Sequence, residues 1–377
     1  MGKSYCGLIL KTSYDKMGET SDIDILGKTM LDWVSLALSG VETDVADYER
    51  HLEMPALVKP HVRPGYDYIV VLFSDTPLIT KKTVNAAVDE AYNSGKTVIK
   101  MTRGYVFNCA YIMNADKIYT ENTFYFDEED FITAFSYKQV GLITDILKNR
   151  ILDFHMGQGV HFEDIACTVI GCDVIIDEDV TVGFNNVIRG KTHIKSGARI
   201  GNGNVIEDCV IESGAKIEAS HLKRSVIGRG TSVGPYANLR ENNIVGENCK
   251  IGDFVELKAC KIGDGTKMSH LTYAGNLVIG KNCNVGAGVV FANYDGKDKF
   301  RTQIGDYCFI GCNTNLVAPV KVGDGAYTAA GSTITKDVPA QALGIARERQ
   351  TNLDGWAEPK MEAYIAKKQK LEKEQNK

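Results

Sequence analysis

The sequence lacks any apolar run that could span a membrane, and no apolar leader follows its start at Met1. A membrane-spanning helix needs roughly 18 consecutive apolar residues. A secretory signal needs an apolar stretch behind a basic start. We therefore expect a cytoplasmic protein without a membrane partner.

Cysteine pairs and surplus positive charge are missing as well. None of the ten cysteines forms Cys-x-x-Cys, which argues against a metal site and favours reduced, mostly buried thiols. Lysine and arginine number 43 against 48 acidic residues, a formal net charge of −5. Proteins with a broad nucleic-acid surface usually carry a basic excess, so no nucleic-acid partner is expected.

Proline is scarce, with eight residues, whereas glycine is abundant, with 37, and this ratio indicates many tight turns. The turns accompany a repeat in which an aliphatic residue recurs at every sixth position. The register slips near position 217 and returns at position 227. The first run consists of Ile170, Ile176, Val182, Ile188, Ile194, Ile200 and Ile206.

A period of six fits neither a helix, with 3.6 residues per turn, nor an alternating strand, with two. It fits a three-sided prism in which each side is a short strand plus a turn and the aliphatic residue points inwards. Roughly nine coils of about eighteen residues, stacked at ~4.8 Å, would give a rod ~40 Å long. The alternative, ordinary sandwich strands, would show turns at irregular intervals of about 8–12 residues.

The repeat is interrupted between Met268 and Ile279 and again between Phe291 and Ile304. Extra residues cannot enter a closed prism, so we expect both insertions to loop outwards. Insertions in repeat proteins often line the binding face. Both segments are rich in polar and aromatic side chains, among them His270, Tyr273 and Asn293.

Several motifs occur in fixed order along this half of the chain: Gly234-Pro235-Tyr236-Ala237-Asn238-Leu239-Arg240, Phe254-Val255-Glu256-Leu257-Lys258, His270-Leu271-Thr272-Tyr273, Asn284-Val285-Gly286-Ala287-Gly288 and Asn293-Tyr294-Asp295-Gly296. They resemble the acetyltransferase half of the bacterial bifunctional N-acetylglucosamine-1-phosphate uridyltransferase/glucosamine-1-phosphate N-acetyltransferase family. The resemblance runs from about Asp164 to Trp356. It implies a left-handed parallel β-helix of hexapeptide repeats and a homotrimer with sites between subunits.

The resemblance also implies the catalytic base, which is His270. A sugar amine that attacks a thioester must lose a proton, and an imidazole with an unperturbed pKa near 6.5 can accept it near neutrality. A positioned base typically contributes ~10²–10⁴ in rate. The alternative for His270, as for the other six histidines, is an ordinary surface side chain.

Substrate contacts are implied in the same way. In the family, four positions hold the sugar phosphate, and the matching residues here are Arg240, Lys258, Tyr273 and Lys299. Three of the four are cations, and converging cations suit a dianionic phosphate. Asn284 and Asn293 match contacts to the sugar. The acetyl-CoA set comprises the oxyanion-binding amide of Ala287 together with Tyr294, Cys312, Ala330 and Arg347. Cys312 departs from the serine usual in the family, and a thiol is the weaker donor.

The first part of the chain is predicted to be a small α/β domain, with strands at 5–10, 67–73 and 105–113 and helices at 81–94 and 142–150. It is weakly similar to the uridyltransferase half of the family. The similarity would make Asp75 a magnesium ligand and Asn108 a nucleotide contact. However, Leu10 is followed by no glycine-rich loop, and backbone amides need such a loop to close around phosphates. We therefore expect uridyl transfer to be lost.

The fold class that follows is a reduced nucleotidyltransferase-like α/β domain at 1–156, the β-helix at 157–351 and a partly helical tail at 352–377. The leading hypothesis is acetyl transfer from acetyl-CoA to glucosamine 1-phosphate, in the biosynthesis of UDP-N-acetylglucosamine. One alternative is a bifunctional enzyme that also uses UTP with Mg²⁺. Another is a non-catalytic scaffold or sugar-phosphate-binding protein, and another amino sugar stays open as the acceptor.

Overall fold

The computed structural model describes residues 3–118 and 126–375. It contains an N-terminal α/β domain, a long parallel β-helix and a C-terminal helix, which confirms the predicted fold class. The parts of the predicted domain and tail at 1–2, 119–125 and 376–377 lie outside the described residues.

A five-stranded sheet forms the centre of the N-terminal domain. Its strands are β1 (Tyr5–Lys11), β2 (Thr43–Asp47), β3 (Tyr68–Phe73), β4 (Val98–Met101) and β5 (Gly104–Asn108). The spatial order is β2-β1-β3-β5-β4, with parallel pairs on either side of β1 and antiparallel pairs around β5. Two short hairpins follow β1, with strands Ser13–Tyr14, Gly18–Glu19, Asp24–Ile25 and Lys28–Thr29.

Helices cover both faces of this sheet. They are α1 (Met30–Ala37), α2 (Met54–Val58), α3 (Lys81–Ser94), α4 (Cys109–Asn114) and α5 (Tyr137–Gly157), with short 3₁₀ turns at Lys59–His61 and Glu128–Phe131. On one face Val34 and Val88 pack with Ile9, whereas on the other Leu57 and Ile112 pack with different sheet residues. Because both faces are covered, β3 is buried along its whole length.

The predicted strand at 105–113 is wrong in its second half, because β5 ends at Asn108. The Asn108 side chain accepts a hydrogen bond from the Tyr111 amide at 3.1 Å and caps α4. The side chain proposed for nucleotide contact is therefore engaged as a helix cap. Helix α5 is longer than the predicted 142–150, because its apolar stripe continues past Arg150 to Leu152 and His155.

Three parallel sheets form the sides of the β-helix. Face 1 has eleven strands: His161–Phe162, Thr181–Val182, Arg199–Ile200, Lys216–Ile217, Ser232–Val233, Lys250–Asp253, Lys267–His270, Asn284–Val285, Phe309–Ile310, Tyr327–Thr328 and Leu343–Gly344. Face 2 has ten: Val169–Ile170, Val187–Arg189, Val205–Glu207, His221–Lys223, Asn238–Leu239, Glu256–Lys258, Tyr273–Gly275, Val290–Ala292, Asn315–Val317 and Thr333–Ile334. Face 3 has nine: Ile175–Ile176, His193–Ile194, Val210–Ile211, Ser225–Ile227, Asn243–Val245, Lys261–Ile262, Leu277–Ile279, Thr302–Ile304 and Val320–Val322.

The six-residue repeat supplies the core of the prism. Ile188 pairs in register with Ile206 on the next coil, and both are fully buried. The same stacking continues through Leu222, Leu239 and Leu257 on face 2. One contiguous apolar core therefore fills the rod from end to end.

The first predicted outward loop does not exist. Between Met268 and Ile279 the chain stays in the coil, because Ala274 and Leu277 point inwards and are fully buried. The small Ala274 occupies an aliphatic position and so hides the repeat. The second insertion does project outwards, as an exposed excursion in which Tyr294 and Lys299 form an antiparallel bridge.

The two ends of the rod are treated differently. At the first coil, the Cys172 amide donates to the Leu26 carbonyl at 3.0 Å, and Lys28 forms an ion pair with Asp173. The predicted domain boundary at 156/157 falls at the end of α5. Beyond the last coil lies α6 (Glu358–Gln375), in which the side chains of residues 358–374 are exposed. None of the described helices is long and apolar enough to cross a membrane.

The stacked core makes a direct stability prediction. Ile206→Ala should lower the free energy of unfolding by about 2–5 kcal/mol, because it removes fully buried aliphatic volume and leaves a cavity. The matched control is Ile175→Ala, at an exposed position on face 3, which should change it by less than about 0.5 kcal/mol. Urea unfolding followed by circular dichroism measures both, and equal losses would contradict the inward orientation of the repeat.

Candidate functional site

Six residues line one corner of the prism, at the edge where face 1 turns into face 2. We call this edge the 1–2 corner. Asp253 pairs in register with His270, and Met268 pairs with Val285, which places His270 one coil before Ala287. Further along, the Asn313 amide donates to the Ala287 carbonyl at 2.8 Å. The corner thus carries, coil by coil, Asp253, His270, Ala287, Cys312, Ala330 and Arg347.

Hydrogen bonds fix the far end of this ladder. The Gly331 amide donates to the Cys312 carbonyl at 2.8 Å, and the Thr333 amide donates to the Ala346 carbonyl at 3.1 Å. Cys312, Ala330 and Arg347 are all exposed. Four of the five predicted acetyl-CoA residues, all but Tyr294, therefore form one continuous strip.

Glycines keep this strip flat where the coils meet. A Cβ added to Gly286 would lie 2.6 Å from the Cys312 amide nitrogen, and one added to Gly311 would lie 2.6 Å from the Ala330 amide nitrogen. Real Cβ atoms do not come this close to backbone atoms. The glycines therefore let successive turns of the corner approach closely enough for a long ligand to lie along them.

His270 has a carboxylate partner. Its Nδ1 lies 2.8 Å from Oδ1 of Asp253, and the two side chains are 55% and 38% exposed. Because an ionised carboxylate only accepts hydrogen bonds, Nδ1 must be the donor. This arrangement selects the imidazole tautomer whose Nε2 carries a free lone pair, which is the form that a general base requires.

The local backbone explains why these two side chains meet. Phe254 and Leu271 directly follow the pair, and both adopt positive φ, 57° and 50°. Each residue thereby turns its coil sharply at the corner, and the Leu271 amide donates to the Asp253 carbonyl at 2.9 Å. The turns superimpose, so the residues before them are held side by side.

Two of the three predicted phosphate-binding cations, Arg240 and Lys258, lie on face 2. Leu239 pairs with Leu257 in register, so Arg240 and Lys258 are outward-facing neighbours on adjacent coils. Arg240 forms an exposed ion pair with Glu256 at 3.2 Å, a surface contact worth little in stability. Among the described residues Lys258 has no carboxylate within ion-pair distance.

A polar cluster adjoins these cations. Tyr273 Oη donates to Asn293 Oδ1 at 3.4 Å, and Asn293 Nδ2 donates to Asn276 Oδ1 at 2.8 Å. The cluster covers Gly275, where an added Cβ would lie 2.5 Å from Asn293 Nδ2 and 2.9 Å from Tyr273 Oη. Gly275, the in-register partner of Lys258, therefore leaves room for the cluster.

Not every predicted site residue joins this group. Asn284 lies on face 1, in register with Lys267 and Phe309, and so points away from the Tyr273 cluster. Tyr294 and Lys299 lie on the exposed excursion, where Tyr294 Oη donates to the Gly296 carbonyl at 2.6 Å. One chain therefore brings together Arg240, Lys258, Tyr273 and Asn293 but presents Asn284 on a different side.

Asp75, the predicted magnesium ligand, has other partners. It is fully buried after β3, and its carboxylate accepts from Arg103 Nη2 at 2.7 Å and Nε at 3.2 Å. Tyr14 Oη also donates to the Asp75 carboxylate at 2.7 Å. The pKa of Tyr14 is raised to about 12, mainly by burial and to a smaller extent by this hydrogen bond. Within the described ranges no three His, Cys, Asp or Glu side chains converge as a metal site. The geometry disfavours a magnesium role for Asp75.

Hydroxyl groups fill the sheet edge beside Asp75. Thr12, Thr20 and Ser74 are buried, and their side-chain oxygens lie 2.8–3.3 Å apart. The segment after β1 folds back here, because the Thr20 amide donates to the Thr12 carbonyl at 2.9 Å. In open α/β sheets ligands bind beyond the carboxyl ends of the strands, and here protein groups occupy part of that position.

Sequence reasoning missed three members of the site: Asp253, Glu256 and Asn276. Asp253 precedes His270 by 17 residues, about one coil, and the same holds for Glu256 and Tyr273. Counting one coil back from each proposed site residue would have found both carboxylates. Asn276 follows Gly275 directly, but only the packing over that glycine reveals its contact with Asn293.

Comparisons with known proteins support the resemblance over the β-helix. A family model of the GMPPB C-terminal domain matches residues 169–262, and the bacterial transferase hexapeptide (six repeats) model matches residues 301–336. The hexapeptide match agrees with the expected left-handed β-helix. Both models cover only parts of the β-helix.

Curated relatives extend this similarity. The chain is 50% identical over 222 residues to "Bifunctional protein GlmU" of Clostridium novyi, covering 59% of this chain and 49% of the relative. The protein of the same name from an Exiguobacterium species is 49% identical over 211 residues, covering 56% and 47%. The predicted family resemblance is thereby confirmed for the C-terminal half. The chain spans about half the length of the curated relatives it matches.

Among solved structures, a UDP-N-acetylglucosamine acyltransferase of Francisella novicida is 18% identical to this chain. The alignment has a TM-score of 0.36 and covers 50% of this chain and 66% of that chain.

The Asp75 environment yields a prediction. Arg103→Met should lower the free energy of unfolding by about 3 kcal/mol, because it leaves a fully buried carboxylate without its cation. Lys100→Met on β4 is the matched control and should have little effect. Urea unfolding measures both, with and without Mg²⁺. Restoration of the stability of Arg103→Met by Mg²⁺ would contradict this assignment and support a metal site at Asp75.

Proposed function

We propose, from the relationship of its C-terminal half to bifunctional GlmU proteins, that this chain transfers the acetyl group of acetyl-CoA to the amine of glucosamine 1-phosphate. The observation that carries the proposal is the His270–Asp253 pair at the head of the 1–2 corner ladder. A base in a defined tautomer lies one coil from a backbone amide suited to an oxyanion. The arrangement suits acyl transfer to an amine.

In this reaction the sugar amine attacks the thioester carbonyl while His270 Nε2 accepts the proton of the amine. Negative charge develops on the carbonyl oxygen, and the Ala287 amide is suited to stabilise it. Within the described residues that amide donates to no protein acceptor. Collapse of the tetrahedral intermediate then releases the thiolate of coenzyme A.

The phosphate of the acceptor is assigned to Arg240 and Lys258. Their side chains leave adjacent coils on the same face, about one strand spacing apart. Two cations at this separation can contact a single dianionic phosphate. Tyr273 and Asn293 lie beside them and supply hydroxyl and amide groups for the phosphate and the sugar. Lys299 completes the set from the exposed excursion.

Acetyl-CoA is assigned to the ladder of Ala287, Cys312, Ala330 and Arg347. Cys312, Ala330 and Arg347 are exposed and Ala287 is half-buried, and Arg347 at the far end of the strip offers a cation for the phosphates of coenzyme A. Cys312 replaces a hydroxyl donor by a thiol, which weakens one contact. Tyr294, which is 59% exposed on the excursion, is assigned to the wall of the same cleft.

We assign no uridyl transfer to the N-terminal domain. In support, Ser74, Thr12 and Thr20 bond to one another at the carboxyl ends of the strands, where ligands of open α/β sheets bind, and Arg103 pairs with Asp75. Mg²⁺ is therefore a cofactor only under the alternative in which uridyl transfer survives. The domain acts instead as a cap on the first coil, and the protein functions in the cytoplasm.

A homotrimer is proposed for the assembly. Tyr236 and Phe254 stack on the 1–2 corner with ring centroids 5.6 Å apart, and Leu271 follows them; each is about 60% exposed. On α6, Met361, Tyr364 and Ile365 are also exposed. Apolar groups in such runs favour burial against another copy. Contact between copies would also let Asn284 face the Tyr273 cluster of a neighbour.

The activity is tested with acetyl-CoA and glucosamine 1-phosphate, with the product detected by mass spectrometry. His270→Ala should lower kcat at least ~100-fold, because the base is removed. Asp253→Ala should lower kcat roughly tenfold or more with KM unchanged, because the base remains but loses the side chain that orients it. Mass detection avoids a thiol reagent, which ten cysteines would also titrate.

The matched control is His221→Ala, an exposed histidine on face 2 that should leave kcat unchanged. Free glucosamine, tested as the acceptor, shows whether the enzyme recognises the phosphate group of the acceptor. Absence of acetylated product with the wild-type protein would rule out this acceptor. Turnover that survives His270→Ala would remove His270 from the mechanism.

Loss of uridyl transfer is tested by calorimetric titration of UTP with Mg²⁺. We expect no saturable binding up to millimolar UTP, because side chains occupy part of the position at which a phosphate is expected. Acetyl-CoA titrated into the same sample shows that the protein is folded and competent. Stoichiometric UTP binding would instead favour the bifunctional alternative.

A further inference from the structure

A cavity of about 610 Å³ lies at the junction of the two domains. Its walls come from α1, from the segment that precedes α3, from α5 and from the first coil of the β-helix. This junction cavity is remote in sequence from the 1–2 corner, and none of the residues proposed for acetyl transfer lines it. Its volume lies within the range of about 300–1,000 Å³ typical of small-molecule sites.

The walls of the junction cavity are mainly apolar. Trp33 and Leu78 lie on the N-terminal side, with the indole Nε1 of Trp33 donating to the Ile25 carbonyl at 2.9 Å. Ile151 and Phe154 line it from α5, and Phe154 is 64% exposed. The indole of Trp33 and the phenyl ring of Phe154 both belong to the cavity lining, and an aromatic lining favours an apolar ligand body.

Cations outnumber anions among the lining residues. Lys28 is paired with Asp173, and Arg150 contacts Glu129 and Asp130. Lys81 differs, because its Nζ donates to the Ser39 carbonyl at 2.7 Å and the described part of the chain gives it no carboxylate partner. One ammonium group is therefore available to a negatively charged ligand group.

A buried polar side chain also lines the cavity. His155 is 4% exposed, and its Nδ1 has no hydrogen-bond partner among residues 3–118 and 126–375. Burial lowers the pKa of His155, so the neutral ring predominates near neutral pH. Buried polar atoms without partners are rare in folded proteins and are often found at functional sites. This position is not explained by the packing of α5 alone.

We propose that the junction cavity binds a small amphipathic organic anion, with its apolar body between Trp33 and Phe154 and its carboxylate or phosphate group on Lys81. The ligand would contact both domains at once. Binding of the ligand would therefore stabilise the interface between the N-terminal domain and the β-helix. The inference is independent of acetyl transfer, because it uses none of the same side chains.

The test uses tryptophan fluorescence of the full-length chain. The sequence contains two tryptophans, so Trp356→Phe leaves Trp33, in the cavity wall, as the only reporter. Titration with decanoate should give a saturable change in Trp33 emission. Decyl phosphate, titrated separately, distinguishes a carboxylate from a phosphate head group, and saturable binding of either supports the proposal. Decanol tests the requirement for charge and should bind at least ~10-fold more weakly.

Two variant pairs locate the site. Lys81→Glu should weaken binding of the anion at least ~10-fold, whereas Lys82→Glu, exposed and outside the cavity, should change it less than ~2-fold. An acidic side chain suits the first turn of a helix, so both variants should fold. Phe154→Ala should weaken binding, whereas Leu142→Ala, exposed on the same helix, should not.

Three results would overturn the proposal. They are no saturable response of Trp33 to either anion, equal affinity for decanol and decanoate, and equal effects of Lys81→Glu and Lys82→Glu. Without a saturable response, the cavity does not bind this class of ligand. Equal affinity for decanol and decanoate would mean that no ion pair contributes to binding. Equal effects of the two lysine variants would mean that the anion binds away from Lys81.

Discussion

In-register stacking of the coils is the constraint on which the rest of the structure depends. Each inward aliphatic residue packs on its counterpart one coil away, as Ile188 does on Ile206. Because side chains alternate along a strand, a slip of one residue would turn the aliphatic set towards water. Burial of the aliphatic set therefore also fixes the register of the outward-facing side chains. His270 meets Asp253 because Met268 must stack on Ile251.

Glycine determines how closely functional groups can approach on this scaffold. Gly286 and Gly311 let corner backbones touch, and Gly275 leaves the space in which Tyr273 and Asn293 meet. The scaffold therefore combines a rigid apolar interior with a surface whose relief is set by the absence of Cβ atoms. Such a surface suits an extended ligand, which must contact several coils at once.

In the N-terminal domain, side chains fill part of the sheet edge at the carboxyl ends of β1 and β3. Its five strands and covering helices form a complete core. At the carboxyl end of β3, the hydroxyl groups of Thr12, Thr20 and Ser74 satisfy one another, and Arg103 neutralises Asp75. A buried carboxylate needs such a partner when no metal is bound. The domain also contributes most of the junction cavity.

Pattern reasoning was accurate where one physical effect dominated. The six-residue aliphatic period predicted the prism, and Lys81–Ser94 was predicted as a helix with its observed bounds. It was wrong at Ala274, because a methyl group fills an inward position without an aliphatic signal. It was also wrong after Asn108, where a cap begins a helix inside an apolar run. In both places packing or a single hydrogen bond outweighed the local pattern.

The sequence by itself determined the repeat, the order of the coils and the kinds of side chain on each, because these depend on inward burial at a fixed period. Tertiary structure alone decided that Asn276 contacts Asn293, that Asn284 faces away from Tyr273 and that Arg103 pairs with Asp75. It alone created the cavity beside Trp33. These features arise between residues far apart in the chain, and their geometry follows from packing that no local pattern encodes.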